Sequence, residues 1–140
     1  MEPKKDIDWS KLGFGYTATE YRWQATWENG SWTEDGLVED PKLHLYESAC
    51  VFQYSQSCFE GLKAYRTKEG KIVTFRPDMN AERMYNSAQR LEMPPLPKEL
   101  FLKSIDEVVR ANAQWVPPYG TGCSLYIRPF MIGSGPQIGV

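Results

Sequence analysis

Alternating apolar and polar residues in the first half of the chain predict two β-hairpins. The run YRWQATWENGSW contains Asn29-Gly30, a dipeptide that favours the tight turn between antiparallel strands. A similar run, GLKAYRTKEGKIVTF, has a turn signal at Lys68-Glu69-Gly70. Two hairpins indicate an antiparallel sheet.

The apolar period then lengthens, which predicts two helices. The first begins near Pro77 and ends before Pro94-Pro95, and the second begins near Pro97 and ends before Pro117-Pro118. Their apolar stripes consist of Met84, Ala88 and Leu91 in the first helix and Phe101, Ile105, Val108 and Val109 in the second.

A final strand is predicted in SLYIRPF, which follows the turn PPYGTG. Leu125 and Ile127 point to one face of this strand, and Tyr126 and Arg128 point to the other. The second face either meets water, as is common for a half-buried strand, or serves a function. Strands followed by two helices and a further strand predict an α+β fold, in which two helices pack on an antiparallel β-sheet.

Length, charge and hydropathy limit the classes of function. A chain of 140 residues suits one domain with a real core. The net charge of -2, without a basic run, argues against nucleic-acid binding.

No segment has the length and apolarity of a membrane span, and the start MEPKKDIDWS lacks the apolar core of a secretory signal, so we expect a cytoplasmic protein. The aromatic fraction of 14% predicts rings at a cleft or at a surface covered by another domain or subunit.

Cysteine and histidine usage argues against several kinds of site. Cys50, Cys58 and Cys123 are odd in number and show no CxxC spacing, which disfavours a disulfide framework and a zinc site. His44 is the only histidine, and no GxSxG or other triad element accompanies it, which disfavours hydrolase chemistry. We expect the cysteines to be packing residues, and we expect no metal site.

The two ends of the chain differ in character. Residues 1–12 are polar and are predicted to be flexible, ahead of one small domain that covers residues 13–140. The chain stops on the apolar, glycine-bearing segment MIGSGPQIGV. This ending predicts that a larger protein continues beyond it.

Four stretches in series, FQYSQSCFEGLKAYR, FRPDMNAERMYNSAQRL, SLYIRPF and GSGPQIGV, carry a resemblance to a known family. They resemble the amino-terminal domain of branched-chain amino acid aminotransferases, which are pyridoxal 5'-phosphate enzymes of fold type IV. The match runs from about Phe14 to Val140. It implies transfer of an amino group between leucine, isoleucine or valine and 2-oxoglutarate, in a homodimer.

The resemblance assigns the cofactor phosphate to Arg83, in NAERMYNSAQR. A planar guanidinium binds phosphate through paired hydrogen bonds, and an early position in the predicted helix would add the favourable field of the helix dipole. The alternative is an exposed helix arginine beside Glu82.

Tyr126 and Arg128 face the active-site cleft in enzymes that resemble this chain, and the arginine there helps to accommodate the acidic co-substrate. This would explain their shared strand face. Phe14 and Phe59 match the positions of the apolar wall of the pocket.

Three further residues are assigned to a dimer interface by the same resemblance. Tyr54, Ile138 and Val140 would reach across it into the pocket of the neighbouring subunit. Ordinary core packing is the alternative for Phe14, Phe59, Ile138 and Val140, and a half-buried helix or loop position is the alternative for Tyr54.

The catalytic lysine of the family, which forms the Schiff base, lies in a second, larger domain. No lysine of this chain falls in a segment that resembles its motif, and Lys63 belongs to a predicted strand. We therefore expect no catalytic residue here and an inactive isolated chain. The alternatives are a D-amino acid aminotransferase or an aminodeoxychorismate lyase of the same fold, or a non-catalytic truncated interaction module.

Overall fold

The computed structural model of the protein describes residues 1–138. Its strands are β1 (Arg22–Glu28), β2 (Ser31–Val38), β3 (Ser57–Phe59), β4 (Leu62–Arg66), β5 (Ile72–Thr74), β6 (Leu125–Ile127) and β7 (Phe130–Ile132). Its helices are α1 (Cys50–Tyr54), α2 (Pro77–Arg90) and α3 (Lys98–Ala111), with single 3-10 turns at Trp9–Lys11 and Ala113–Trp115.

Both predicted hairpins are present. Strands β1 and β2 pair antiparallel around Asn29 and Gly30, whose φ angles of 53° and 80° suit the turn that matches strand twist. Strands β4 and β5 pair around a turn in which Gly70 has a φ of 83°. Asparagine and glycine tolerate these left-handed angles, so the sequence signal had a direct physical basis.

A long antiparallel ribbon runs through the centre of the fold. Strand β3 pairs with β7, from Ser57 opposite Ile132 to Phe59 opposite Phe130. Strand β4 pairs with β6, from Leu62 opposite Ile127 onwards. The register is the same in both pairs, so Glu60 lies opposite Pro129 and Gly61 opposite Arg128 at an interruption of the ribbon. The amide of Glu60 donates to the carbonyl of Pro129 at 2.8 Å, which holds the two chains together there.

The predicted α+β class with antiparallel pairing is confirmed. The described strands form three small sheets, in the orders β1-β2, β3-β7 and β5-β4-β6. The last two are separate because the ribbon breaks where Pro129 has no amide to donate. The short helix α1 was not predicted from the sequence. The predicted strand SLYIRPF is correspondingly divided into β6 and β7.

The core lies between the two long helices and the inner face of β4 and β6. Helix α2 begins at Pro77 and α3 directly after Pro97, and they end before Pro94-Pro95 and Pro117-Pro118, as predicted. The central buried residues are Leu62, Ala64, Ala81, Met84, Ala88, Met93, Phe101, Ile105, Val109, Val116, Ile127 and Met131. Cys50 is buried and Cys58 packs against this cluster.

The amino-terminal segment makes contacts with the rest of the chain. The ammonium of Lys4 lies 3.2 Å from the Glu20 carboxylate and 4.5 Å from the centre of the Trp115 ring. The division into a flexible segment 1–12 and a domain 13–140 stays a prediction.

Candidate functional site

Arg83 is held by a buried carboxylate. Its Nε and Nη2 atoms donate to the two carboxylate oxygens of Glu60, each at 2.6 Å. Glu60 sits at the interruption of the ribbon and is 4% exposed, and the buried Asn80 donates a further hydrogen bond to it at 2.9 Å. Asn80 and Arg83 are three residues apart on α2, so one face of this helix carries both donors.

Opposing effects set the pKa of Glu60. Burial by itself raises the pKa of this carboxyl, but the hydrogen bonds from Arg83 and Asn80 together lower it below the ordinary value. The hydrogen bonds to Glu60, and the charge of that carboxylate, raise the pKa of Arg83. The pair is therefore ionised at neutral pH, while 66% of the Arg83 side-chain surface stays open to a ligand.

The position of Arg83 in α2 contradicts the expected contribution of the helix dipole. It is seven residues into α2, nearly two turns from the start at Pro77, and the field of the helix dipole is confined to the first turn. The dipole therefore adds nothing to anion binding there. Glu82 does not supply the partner carboxylate, since Arg83 pairs with Glu60 and Glu82 lies 3.8 Å from the ammonium of Lys98.

Arg128, Tyr126 and Phe59 form a second cluster. The Nε and Nη2 atoms of Arg128 donate to the Tyr126 hydroxyl at 3.2 and 2.7 Å. The guanidinium carbon lies 4.3 Å from the centre of the Phe59 ring, a favourable cation–π distance. The tyrosine is 50% exposed and the phenylalanine 61%, so this cluster offers a cation and two aromatic surfaces to a ligand.

The two clusters are joined through three consecutive residues. Phe59 contacts Arg128, Glu60 binds Arg83, and Gly61 lies opposite Arg128 in the ribbon. Both guanidinium groups are thus anchored to one short segment, Phe59–Gly61, although they come from a helix and from the end of a strand.

The other predicted site residues are exposed wherever the structure describes them. Phe14 is fully exposed in the loop before β1, Tyr54 ends α1 and is 46% exposed, and Ile138 is 71% exposed. Val140 lies outside the described residues. The side chains of Phe14, Phe59 and Ile138 are mostly open, so none of them packs in the core of this chain.

Glu60, Gly61 and Asn80 were not predicted as site residues. The signal for Glu60 was a single carboxylate in a strand-like apolar stretch, CFEGL, where an unpaired charge would be costly. Asn80 lies three residues before Arg83, a helical spacing that could have identified it. Nothing in the sequence pointed to the role of Gly61.

No other kind of centre is found among residues 1–138. They contain no group of three or more His, Cys, Asp or Glu that could hold a metal ion. None of the helices in this range could cross a membrane, by length and apolarity. Two cavities, of about 440 and 290 Å³, lie beside the amino-terminal segment and between β5 and α3, and neither is lined by Arg83 or Arg128.

Two curated bacterial relatives share the name branched-chain-amino-acid aminotransferase. The chain is 54% identical over 136 residues to the branched-chain-amino-acid aminotransferase of Haemophilus influenzae and 50% identical over 140 residues to that of Helicobacter pylori. The alignments cover 97% and 100% of this chain but 40% and 41% of the relatives. The chain thus spans about two fifths of their length. No protein-family model matches it.

Solved structures give the same relationship. A T.th. branched-chain amino acid aminotransferase complexed with N-(5'-phosphopyridoxyl)-L-glutamate matches with a TM-score of 0.58 at 29% identity, over 86% of this chain and 35% of that one. The Escherichia coli branched-chain amino acid aminotransferase matches with a TM-score of 0.60, over 88% of this chain and 35% of that one, and at 23% identity it supports the fold alone. The resemblance predicted from the sequence is confirmed: over nearly its whole length, the chain is similar to the amino-terminal part of longer branched-chain aminotransferases.

Proposed function

We propose that this chain is the small domain of a cytoplasmic transaminase that moves an amino group between leucine, isoleucine or valine and 2-oxoglutarate. The observation that carries the proposal is the anchoring of two guanidinium groups, Arg83 and Arg128, to the single segment Phe59–Gly61. A transaminase of this kind has two anions to hold, a cofactor phosphate and a substrate carboxylate.

The residues around Arg83 fit a bound phosphate. One of the structurally related aminotransferases is complexed with a phosphopyridoxyl compound, which supports pyridoxal 5'-phosphate as the cofactor here. Glu60 binds two nitrogens of the Arg83 guanidinium and so fixes the plane of that group. Most of the Arg83 side chain stays exposed. Arg83 would hold the cofactor phosphate by charge and by directed N–H groups. When bound, this cofactor supplies an electron sink for the α-carbon of the amino acid.

Tyr126, Arg128 and Phe59 support the discrimination of substrates. A pocket that accepts both leucine and 2-oxoglutarate needs an apolar surface with a cation within reach. Phe59 supplies an exposed apolar ring, and Arg128 lies directly over it. The guanidinium would meet the second carboxylate of the dicarboxylate substrate, while the ring would contact an aliphatic side chain.

The remaining residues of the proposed pocket need further protein around them. Phe14 would complete the apolar wall, and Tyr54, Ile138 and Val140 would reach the pocket of the second subunit in a homodimer. The lysine that binds the cofactor would come from a large domain outside this chain. Each of these assignments rests on the family resemblance, and the exposure of Phe14, Tyr54 and Ile138 is consistent with it.

The proposal is tested by comparing the full-length gene product with the purified 140-residue chain. Each is mixed with pyridoxal 5'-phosphate, leucine and 2-oxoglutarate, and glutamate formation is measured. We expect glutamate from the full-length protein and none from the chain alone. Turnover by the chain would refute the division of the site between two domains.

Two further results would favour the alternatives. Activity of the full-length protein on D-alanine or on aminodeoxychorismate, with none on the branched-chain amino acids, would replace the substrate class. A gene that stops at codon 140 would favour a non-catalytic interaction module.

A further inference from the structure

Gly61 leaves the space that the Tyr126 phenol occupies. A Cβ atom built on Gly61 would lie 2.4 Å from the phenol oxygen and 3.2 Å from the ring carbon that bears it. Real side chains do not approach this closely, because optimal contact distances between non-bonded atoms are about 3.5 Å or more. Any other residue at position 61 would force the phenol to move.

The need for glycine at this position does not come from the backbone. The glycines with a positive φ are Gly30, Gly36, Gly70, Gly120 and Gly122, and Gly61 is not among them. An alanine could therefore adopt the local backbone conformation without strain. What excludes it is the contact with Tyr126.

This contact controls the position of Arg128. The phenol oxygen that would meet the Cβ atom is the same atom that accepts hydrogen bonds from Nε and Nη2 of Arg128. Relief of the overlap needs a displacement of about 1 Å, and hydrogen bonds of this type weaken steeply over such a change. Gly61 also lies opposite Arg128 in the ribbon, so the substituted position and the arginine are neighbours across the two strands.

We propose that Gly61 is a positioning residue for the dicarboxylate substrate. The missing side chain lets Tyr126 hold Arg128 in the orientation that receives the second carboxylate. The inference rests on the proposed function and deepens it, because it names the residue that sets the preference for a dicarboxylate over an aliphatic monocarboxylate. Gly61 has no side chain with which to contact the substrate, and it acts through Tyr126 and Arg128.

The test is a double-mutant cycle in the full-length holoenzyme, made from Gly61→Ala and Tyr126→Phe. Binding of glutarate, a five-carbon dicarboxylate, and of 4-methylpentanoate, an aliphatic monocarboxylate, is measured by isothermal titration calorimetry. We expect Gly61→Ala to weaken glutarate binding by about tenfold or more and 4-methylpentanoate binding by about twofold or less, because only glutarate has a second carboxylate that can form charge-assisted hydrogen bonds with Arg128. Tyr126→Phe should weaken glutarate binding to a similar degree, since it removes the acceptor that orients Arg128.

The coupling between the two substitutions separates positioning from general damage. In the Tyr126→Phe background the overlapping oxygen is gone, so Gly61→Ala should change glutarate binding by about twofold or less. An undiminished effect of Gly61→Ala in that background, or equal losses for both ligands, would overturn the inference. If the Gly61→Ala variant does not fold, folding of the double variant becomes the test. A double variant that folds supports the clash between the alanine Cβ and the phenol oxygen, and one that does not fold contradicts it.

Gly133→Ala is the matched control. A Cβ at Gly133 would lie 2.2 Å from the Gln56 side-chain oxygen and 2.9 Å from the Cβ of Cys50, away from Tyr126. This variant should lower stability without changing the ratio of the two affinities, and a selective loss of glutarate binding in it would count against the special role of Gly61. A wild-type holoenzyme that binds neither ligand would refute the proposed function itself, which is a different outcome.

Discussion

The Nε atom of Arg83 and the Oε1 atom of Glu60 lie 2.6 Å apart, and this pair joins the middle of α2 to the interruption of the central ribbon. Arg128 is held in a parallel way, because it too donates from Nε and Nη2, in its case to the Tyr126 hydroxyl. Each guanidinium is thus fixed in orientation by the protein along one edge. Fixed orientation lowers the entropic cost of binding an anion, which is the physical basis for assigning both groups to ligands.

Acid should weaken the contribution of Glu60 to stability. Burial raises the pKa of this carboxyl, but the hydrogen bonds outweigh burial and lower the pKa in the folded protein. Its contribution to stability is therefore fully present above the ordinary carboxyl pKa of about 4.3. The contribution is lost as the pH falls from there through the lower pKa of the folded protein. Glu60→Gln should therefore reduce the free energy of unfolding at pH 7, by about 1–3 kcal/mol. The gap between variant and wild type should narrow at pH 3.5.

Urea denaturation of both proteins at the two pH values measures this difference. Glu69→Gln, which changes an exposed carboxylate in the β4–β5 turn, is the control and should leave the stability almost unchanged at either pH. A gap between wild type and Glu60→Gln that stays constant from pH 7 to pH 3.5 would show that the carboxylate charge does not stabilise the fold.

Replacement of Arg83 by lysine should affect phosphate recognition selectively. Lysine keeps the charge but cannot donate two parallel hydrogen bonds to Glu60 while presenting a planar edge to phosphate. In the full-length protein we expect the dissociation constant of pyridoxal 5'-phosphate to rise by about tenfold, while that of pyridoxal, which lacks the phosphate, changes little. Cofactor absorbance titrations measure both constants. Equal losses for the two compounds would remove Arg83 from the phosphate site.

The elements of the fold were predictable where local chemistry decides them. Asn29-Gly30 predicted the first hairpin turn because few other residues adopt left-handed angles, and the prolines after α2 and α3 predicted where the helices end. The division of the strands into three sheets was not predictable in this way. It depends on the register between segments about 70 residues apart, which no local pattern encodes.

The candidate site shows the same limit. Family resemblance predicted Arg83, Tyr126 and Arg128 as site residues by their own motifs, and strand alternation correctly placed Tyr126 on the exposed face. The partner of Arg83 was missed, because Glu60 is 23 residues away in sequence and meets it only through the packing of α2 on the ribbon. Spacing alone favoured an exposed helix arginine beside Glu82, and it gave no signal for a partner in a distant strand segment.

Asn112 should be important for joining the first hairpin to α3. Its buried side chain accepts a hydrogen bond from the Tyr21 amide at 3.1 Å and donates to the Tyr21 carbonyl at 2.9 Å, as a paired strand would. Asn112→Ala leaves both backbone groups without these partners and should cost about 2–3 kcal/mol. Chemical denaturation measures the loss. Asn86→Ala, at an exposed position of α2, is the control and should fall within about 0.5 kcal/mol of wild type.

Two methionines of α2 offer a matched test of the core assignment. Met84 is 3% exposed and belongs to the central cluster, whereas Met79, one turn earlier, is 49% exposed. Met84→Ala should lower the free energy of unfolding by about 2–5 kcal/mol, through lost burial and the cavity that remains. Met79→Ala should change it by less than about 1 kcal/mol. Thermal unfolding of the pair measures both effects, and similar losses would contradict the position of the core.

The isolated chain should self-associate through the outer face of β3 and β7. Phe59 and Phe130 are opposite each other in this two-stranded sheet and are 61% and 52% exposed, which places two large rings side by side on an open surface. A two-stranded sheet also has unpaired edges that favour association with another chain. Light scattering of the purified chain should therefore give a mass above 16.1 kDa that rises with concentration.

Phe130→Lys should reduce this association, because a charge on the exposed face opposes burial of the surface. Tyr119→Lys, which changes a ring that is 64% exposed in a distant turn, should not. A chain that stays at 16.1 kDa at every concentration, with or without Phe130→Lys, would show that this face needs no covering partner.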